Sequence, residues 1–484
     1  MYMRKVEENF WQVNWGPDEA KGDIHLGKYF LKIPEYDDLK NGLYRYIIGR
    51  KGTGKTAIIE QLKKDVDSQY DCFDKYLSLK NFPIQSLRGL KEPSLGGKSQ
   101  FVPIWTFLIL TEISKLIIRD QASQPFEAVH ELKKFIKINF PSDMGFIETL
   151  KTLENQQNKV NVFPQWIGIE SSSTSEIEKT IPIHYQKATE FLSEFLKTIR
   201  SDSKFYLLFD ELDEGYSAHD KNLNLLLLAL LRAVENTYLD LKDYINFFPI
   251  LALRSDIFNN LEDNDLNKLD DYIINLKWTK EYGATYSLYD LINARINASI
   301  YVIKPQDAWE CVSQNKDSRI PKKIDSLWDF IYNRSFERPR DLIKYMKCCN
   351  KLKRQGKLNY DDVRSAESSY SEWFYKEFRD EIHSHLRIWQ EATQAIIKLN
   401  MAVFTLDDIK REFDKDIAIK SFVQNENKTY EEILEIIYKF GLIGTLSDTK
   451  RWFFYYKDYN LPFNYDQRMI VHFGFTKKFR IKVF

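Results

Sequence analysis

The sequence carries no surplus of either charge: 70 Lys and Arg balance 70 Asp and Glu over 484 residues. With a formal net charge of +0, no global field draws the chain onto nucleic acid, although a local basic patch stays compatible with it. Cysteine is scarce. Cys72, Cys311, Cys348 and Cys349 show no paired metal spacing, and the adjacent pair cannot readily close one disulfide, so zinc-ribbon and disulfide-framework classes are excluded. No apolar stretch runs uninterrupted to membrane length. The nearest, "FVPIWTFLILTEISKLIIRD", is broken by Glu112 and Lys115 and is expected to be a buried helix. The start, "MYMRKVEENFWQ", lacks the apolar core of a signal peptide, which sets the expectation of a cytoplasmic protein. Repeats and low-complexity tracts are missing, as are a Ser/His/Asp set, metal-spaced His/Cys and a nuclease motif. His383 and His385, two apart, face opposite sides of a helix. Apolar and aromatic residues are abundant, at 43% and 15%, which predicts thick cores in two or three domains.

The richest local chemistry lies in "YRYIIGRKGTGKTAIIEQL", from Tyr44. Gly49, Arg50, Lys51, Gly52, Thr53, Gly54, Lys55 and Thr56 fit G-x-x-x-x-G-K-[ST] at every fixed position, with Ala57 following in the first helical turn. The glycines permit backbone torsions and close approaches that a Cβ would block, so successive N–H groups can face a polyphosphate. A helix starting near Lys55 adds its positive end. Lys55 would then reach the β- and γ-phosphates of ATP, and the Thr56 hydroxyl would take one Mg²⁺ position. A short β-rich run before the loop and helical spacing after it supply the context this motif needs. A glycine-rich turn matching by chance is the alternative.

A second half appears at "KFYLLFDELDEG", from Lys204: an apolar run closed by acids. Buried parallel strands are nearly continuous in hydrophobicity, and ligands collect at their carboxyl ends. Asp210, the first acid past the run, is the expected Mg²⁺ contact through water. Glu211 points elsewhere and could polarise an attacking water. Asp213 and Glu214 either help hold water or metal or sit in an exposed turn, the turn being preferred. An ordinary strand with a solvated acidic turn remains the alternative for the whole stretch.

Along the chain, Phe30, Ile33 and Tyr36 are candidates for an adenine pocket or a plain cover over the sheet edge. "DKYLSL" predicts a second strand. A long insertion at about 80–200 follows, with a polar "SLRGLKEPSLGGKSQ" loop, helices at 101–119 and 126–138, and a hairpin within "KVNVFPQWIGIESSSTSE". "INFFPILALRSDIF" is a near-continuous strand ending at Arg254, which would contact the γ-phosphate or attacking water, or else form a salt bridge to the DELDE acids. "DDYIINLKW" is a fifth strand. In "NRSFERPRDLIKYMKCC", Pro339 starts a helix flanked by Arg338 and Arg340, either of which could swing onto the nucleotide; a capped, solvated helix start is the alternative. Past about 366, "TLDDIKREF" and "TYEEILEIIYKFGLIGTL" predict helices, and "KRWFFYYKD" with "RMIVHFGF" a two-stranded wing. Glu431, Glu432 and Glu435 on the would-be recognition helix argue for protein rather than DNA contact.

These phrases together resemble the AAA+ and STAND-like branch of P-loop ATPases. More narrowly, they resemble lone bacterial members that carry an "IGRKGTGKTA" loop, a "LLFDELDE" strand, an "LALRSDIF" strand, an "RPRDLI" helix and a C-terminal "VH", here Val471 and His472. The resemblance implies an α/β fold with a 5-1-4-3-2 parallel sheet, a helical lid and a C-terminal winged-helix-like domain, with sensor roles for Arg254 and Arg340. It also implies a prokaryotic setting in anti-phage defence, beside an effector such as a nuclease. Expected domains are 1–282 (ATPase), 283–365 (lid) and 366–484 (winged-helix-like). The expected function is a Mg²⁺-dependent ATPase switch acting on a protein partner or effector, catalytic through Glu211, Lys55 and Arg254. Its cofactors would be ATP, held by the loop with Arg338 and Arg340, and Mg²⁺, held by Thr56 and Asp210. A homo-oligomer fits this reading; a membrane does not, and nucleic acid is not indicated. The competing reading is a nucleotide-stabilised scaffold with little turnover, and a DNA-associated protein ranks after it.

Overall fold

A computed structural model describes residues 9–80, 87, 95–140, 145–167, 180–213, 216–218, 220–281, 283–302, 304–447, 451–459 and 461–482. Glu214 and most of the "SLRGLKEPSLGG" loop lie outside them. The chain divides into a sheet unit, Pro34–Arg50 with Lys55–Asn275, and a helical unit, Met1–Ile33 with Lys51–Gly54 and Leu276–Phe484.

The sheet unit is built on strands β1 (Tyr46–Gly49), β2 (Cys72–Ser78), β5 (Ser201–Asp210), β6 (Ile245–Arg254) and β7 (Ile273–Asn275). All pairings are parallel and the order is β2-β5-β6-β1-β7. Counted by these strands alone from the β7 edge, that is 5-1-4-3-2, the order expected. Burial on both faces explains the composition of the strands: Tyr46, Ile47, Phe205 to Phe209 and Ile250 to Leu253 are all at most 2% exposed. Helices Lys55–Asp67, Val102–Ile117 and Lys221–Leu241 pack against these strands.

Much of the stretch from 80 to 200 belongs to this core. Helix Val102–Ile117 lies against Lys221–Leu241, tied to it by the Trp105 indole donating to the Leu226 carbonyl at 3.0 Å. The window Gly97–Ile117 is long and apolar enough to cross a membrane by length and composition, but 78% of it is buried inside the fold. Glu112 and Lys115 sit within it as an ion pair at 2.7 Å, with Thr149 accepting from the Lys115 ammonium at 2.9 Å. Both charges survive burial because they are paired. The hairpin differs from expectation. Strand β3 (Lys159–Val162) pairs antiparallel with β4 (Ile181–His184), a partner further along the chain than the run "GIESSSTSE".

The helical unit contains helices Leu288–Ser299, Leu327–Tyr332, Pro339–Asn350, Tyr360–Ile382 and Trp389–Leu399. Helix Tyr360–Ile382 opens with a reciprocal cap between Asn359 and Asp362 and runs through residue 365. The last part is winged-helix-like: strand β8 (Val403–Phe404), helices Leu406–Phe413, Ile417–Glu426 and Tyr430–Lys439, then strands β9 (Ile443–Leu446), β10 (Trp452–Phe453) and β11 (Arg468–Val471). The order β10-β9-β11-β8 corrects the expected wing: β10 and β11 do not pair with each other but flank β9, whose short "IGTL" run supplies the central strand. Thr405 with Asp408, and Thr429 with Glu432, close capping boxes as the sequence indicated for the first. The glutamates of helix Tyr430–Lys439 are neutralised locally, Glu431 by Lys410, Glu432 by Lys428 and Glu435 by Lys439. They therefore repel phosphate less than the bare sequence suggests.

Candidate functional site

Parallel register gathers the chemistry of the sheet unit at one edge. Gly49 stands opposite Arg254, and Ser78 opposite Asp210, so four strand ends finish together at the carboxyl edge. From Gly49 the chain turns through the glycine loop into helix Lys55–Asp67. Gly52 and Gly54 take φ of 83° and 101°, which only glycine adopts freely.

Lys55 curls back into its own loop. Its ammonium donates to the carbonyls of Gly49 at 2.8 Å and Arg50 at 3.1 Å, so it is turned inward although the residue keeps some exposure. Burial pushes its pKa down to about 8, an effect that the nearby carboxylates of Asp213, Asp210 and Asp256 oppose and Arg254 reinforces. Among the described residues the ammonium hydrogen-bonds to carbonyls and to no acid, the nearby carboxylates acting through space.

Asp210 is 4% exposed at the end of β5. Burial raises its pKa, while the Glu211 N–H, at 2.9 Å, and the Thr56 hydroxyl hydrogen-bond it and pull the other way. Thr56 and Asp210 thus already meet. Glu211 has φ of 60°, a left-handed conformation uncommon outside glycine and frequent at functional sites. The Ser78 hydroxyl donates to the Glu211 carboxylate. Arg254, 7% exposed, is clamped by Asp256 through Nε at 3.0 Å and Nη2 at 2.6 Å, with Nη1 donating to Asp213 at 3.2 Å. This geometry is the salt-bridge alternative weighed from sequence, with Asp256 as an added partner. Ala57 lies in the first turn of the helix that carries Lys55 and Thr56, and Arg50 is 8% exposed.

The loop tip, Lys51–Gly54, groups with the helical unit. The Trp278 indole donates to the Thr53 carbonyl at 2.9 Å, and the Arg340 N–H to the Gly52 carbonyl at 3.3 Å. Arg338 donates through Nη1 to the Lys51 carbonyl at 2.9 Å. Arg338 itself is 1% exposed, forked onto Asp341 at 2.9 and 2.8 Å and bonded to Glu381 at 2.5 Å. Its donors therefore hold the loop backbone and two acids. Arg340 is the more open of the two, reaching Glu377 at 3.3 Å, and Lys51 approaches the same carboxylate at 3.7 Å.

Sequence reasoning missed Ser78, Asp256, Trp278, Glu377 and Glu381. Asp256 stood inside the quoted "LRSDIF", and Ser78 closes the predicted "DKYLSL" strand, so register alone could have suggested both. The two glutamates lie four apart on one helix face, which gave no sign of its partner. Of the adenine candidates, Tyr36 and Ile33 are 0% and 4% exposed, and Tyr36 donates its hydroxyl to Asp65 at 2.9 Å. Tyr36 is a core residue of the sheet unit, while Phe30 and Ile33 belong to the helical unit.

Residues 286–379 match the family described as the FunZ-associated C-terminal helical domain. That segment carries Arg338, Arg340 and Glu377. No curated protein matches the chain. Among solved structures, Cdc6p from Pyrobaculum aerophilum aligns over 94% of this chain and 97% of its own, at 10% identity and a TM-score of 0.29. Drosophila ORC bound to DNA aligns over 95% and 91%, at 13% identity and a TM-score of 0.25. Likenesses this loose carry no weight beside the strand order itself.

Proposed function

We propose that the chain is a Mg²⁺-dependent ATPase of the AAA+ type whose turnover shifts the helical unit and so regulates a protein partner. The observation that carries this reading is the Lys55 ammonium, turned onto the Gly49 and Arg50 carbonyls with no other hydrogen-bond acceptor among the described residues, in a unit where Thr56 meets Asp210. A cation that hydrogen-bonds to no acid among the described residues can take one of the oxygens of a triphosphate.

The metal fits the residues present. A threonine hydroxyl beside a carboxylate offers two hard oxygen donors and leaves other positions to water and phosphate, which suits Mg²⁺. When bound, Mg²⁺ would neutralise charge developing on the phosphates. The chain's own residues do the remaining work: loop N–H groups and Lys55 orient the phosphates, Thr56 and Asp210 hold the metal, and Glu211 accepts the proton of the attacking water. In the free chain Ser78 engages Glu211, so basal turnover would be slow until that bond opens. Arg340 is the residue proposed to sense nucleotide, since Lys51, Gly52, Arg340 and Glu377 lie together at the loop tip. Arg254 orients the acidic turn through Asp213, and Arg338 braces the loop through the Lys51 carbonyl.

The resemblance to lone bacterial P-loop ATPases extends the proposal to a cytoplasmic role in anti-phage defence, with an effector on another chain and assembly into oligomers. Phosphate release by the wild type and by Glu211→Gln tests the enzymatic part. Release lowered at least 100-fold in the variant, with ATP still bound, is expected. Equal, near-zero release in both would instead make ATP a structural ligand of a scaffold.

A further inference from the structure

Two adjoining cavities in the helical unit take no part in the nucleotide reading above. The larger, about 790 Å³, is lined by Val403, Leu446, Trp452, Ile470 and Phe473 of the winged-helix-like part. Asn333, Thr405, Ser447 and Gln467 add hydrogen-bonding groups. The smaller, about 540 Å³, is lined by Tyr360, Arg364, Glu367, Lys477, Arg480 and Lys482. Ile324 and Arg334 line both, so the two are neighbours across a shared wall. Helix Tyr430–Lys439 contributes to neither.

Their electrostatics are lopsided in a chain whose total charge is +0. Glu367, 2% exposed, is the carboxylate on the floor of the smaller cavity, and it serves two guanidinium groups: Arg334 through Nε at 2.6 Å, and Arg364. One positive charge is therefore left over, on the solvent side, since the Arg364 side chain is 42% exposed while Arg334 is 8% exposed. Lys477, Arg480 and Lys482 ring the opening, exposed, with no ion-pair partner among the described residues. Arg364, Lys477, Arg480 and Lys482 thus face one buried carboxylate that Arg334 already shares, so the site favours an added anion, and arginine forks match phosphate oxygens. The larger cavity offers the opposite chemistry. The half-buried Trp452 ring, edge-on to Phe473 at 4.8 Å between centroids, and the aliphatic wall suit a flat apolar group whose rim carries donors and acceptors. Both volumes fall in the range of small-ligand sites.

We propose that the neighbouring cavities bind nucleotide units, with phosphates on Arg364, Lys477, Arg480 and Lys482 and the base against Trp452. The units could be free nucleotides or successive residues of a single strand, since both present phosphate next to a stackable base. The proposal is independent of ATP at the glycine loop.

The test uses the full chain in three forms: wild type, Lys55→Ala to disable the loop, and Lys477→Glu with Arg480→Glu, both exposed positions. Each form is titrated with a fluorescein-labelled ten-residue oligothymidylate and, separately, with free AMP and UMP, with thermal unfolding as a check on folding. At least one probe is expected to bind wild type and Lys55→Ala equally and the charge-reversed form at least tenfold more weakly. Trp452→Phe should weaken the same probe by a smaller factor. Binding of the oligonucleotide that free nucleotides do not displace assigns the strand; the converse assigns the free nucleotide. Loss of binding in Lys55→Ala, binding undiminished by charge reversal, or no binding of any probe overturns the proposal. A failed ATPase assay leaves it untouched.

Discussion

Two enclosed cations, one in each unit, differ in a way that separates ligand chemistry from architecture. In the sheet unit, the Lys55 ammonium meets two carbonyls and, among the described residues, no hydrogen-bonded acid, and burial lowers its pKa to about 8. In the helical unit, burial likewise works against the Arg338 charge, but Asp341 and Glu381 outweigh it and hold the guanidinium firmly protonated. Arg338 is thus complete in the free chain, whereas Lys55 is not. Compensated charge of this kind holds a backbone in place; undercompensated charge is what an incoming anion can satisfy.

The comparison breaks most visibly at Arg338. Replacing it by Met leaves Asp341 and Glu381, 0% and 3% exposed, without their cation. A loss of about 3–5 kcal/mol in urea unfolding is expected, whereas Lys55→Ala should unfold close to wild type. A loss in Lys55→Ala as large as in Arg338→Met would remove the distinction.

The next effect is on pH. Triphosphate favours the charged form of Lys55, whose pKa in the free chain is about 8. ATP affinity should therefore be level below that pH and fall by up to about tenfold per pH unit above it. Stability of the free chain runs the opposite way. Between about 8 and the ordinary 10.5, the unfolded chain holds more protons at this site, so the fold gains stability as pH rises. Calorimetric titrations at pH 7 and 9 check the first trend and thermal unfolding the second; affinity that rises with pH would contradict the assignment.

Smaller effects sharpen the picture at the loop tip and the acidic strand. Glu377→Gln removes the carboxylate shared by Arg340 and Lys51 and should tighten ATP binding about two- to fivefold, the scale of a partly exposed ion pair. Unchanged or weaker binding would show that Glu377 does not compete with phosphate. Ser78→Ala removes the hydroxyl bonded to Glu211 and should raise basal phosphate release about two- to threefold without altering ATP affinity. A lower rate would make Ser78 part of the catalytic arrangement rather than a restraint.

The sheet was legible because its strands are buried on both faces and so spell themselves as "YIIG", "FYLLFD" and "PILALR" between turn signals. The glycine loop was legible because its torsions demand particular residues at fixed spacing. Pairing was less so. Short strands such as Trp452–Phe453 and Ile443–Leu446 carry too few residues for alternation to choose a partner, and the wing was accordingly mispaired. Ion networks were least legible. Arg338 reads as an exposed helix start until Glu381, more than forty residues on, is placed against it, and the sequence could not choose between phosphate and a salt bridge for Arg254 until Asp213, 41 residues back, is placed beside it. Long-range partners of this kind leave no local period.

Lys55, bonded to the Gly49 and Arg50 carbonyls, is proposed to take the phosphates of Mg·ATP. Calorimetric titration of Mg·ATP into wild type and Lys55→Ala at pH 7 addresses this most directly. Saturable one-site binding to wild type, weakened at least 100-fold in the variant, is the predicted result. Equal affinity in the two, or no heat of binding to the wild type, would contradict it.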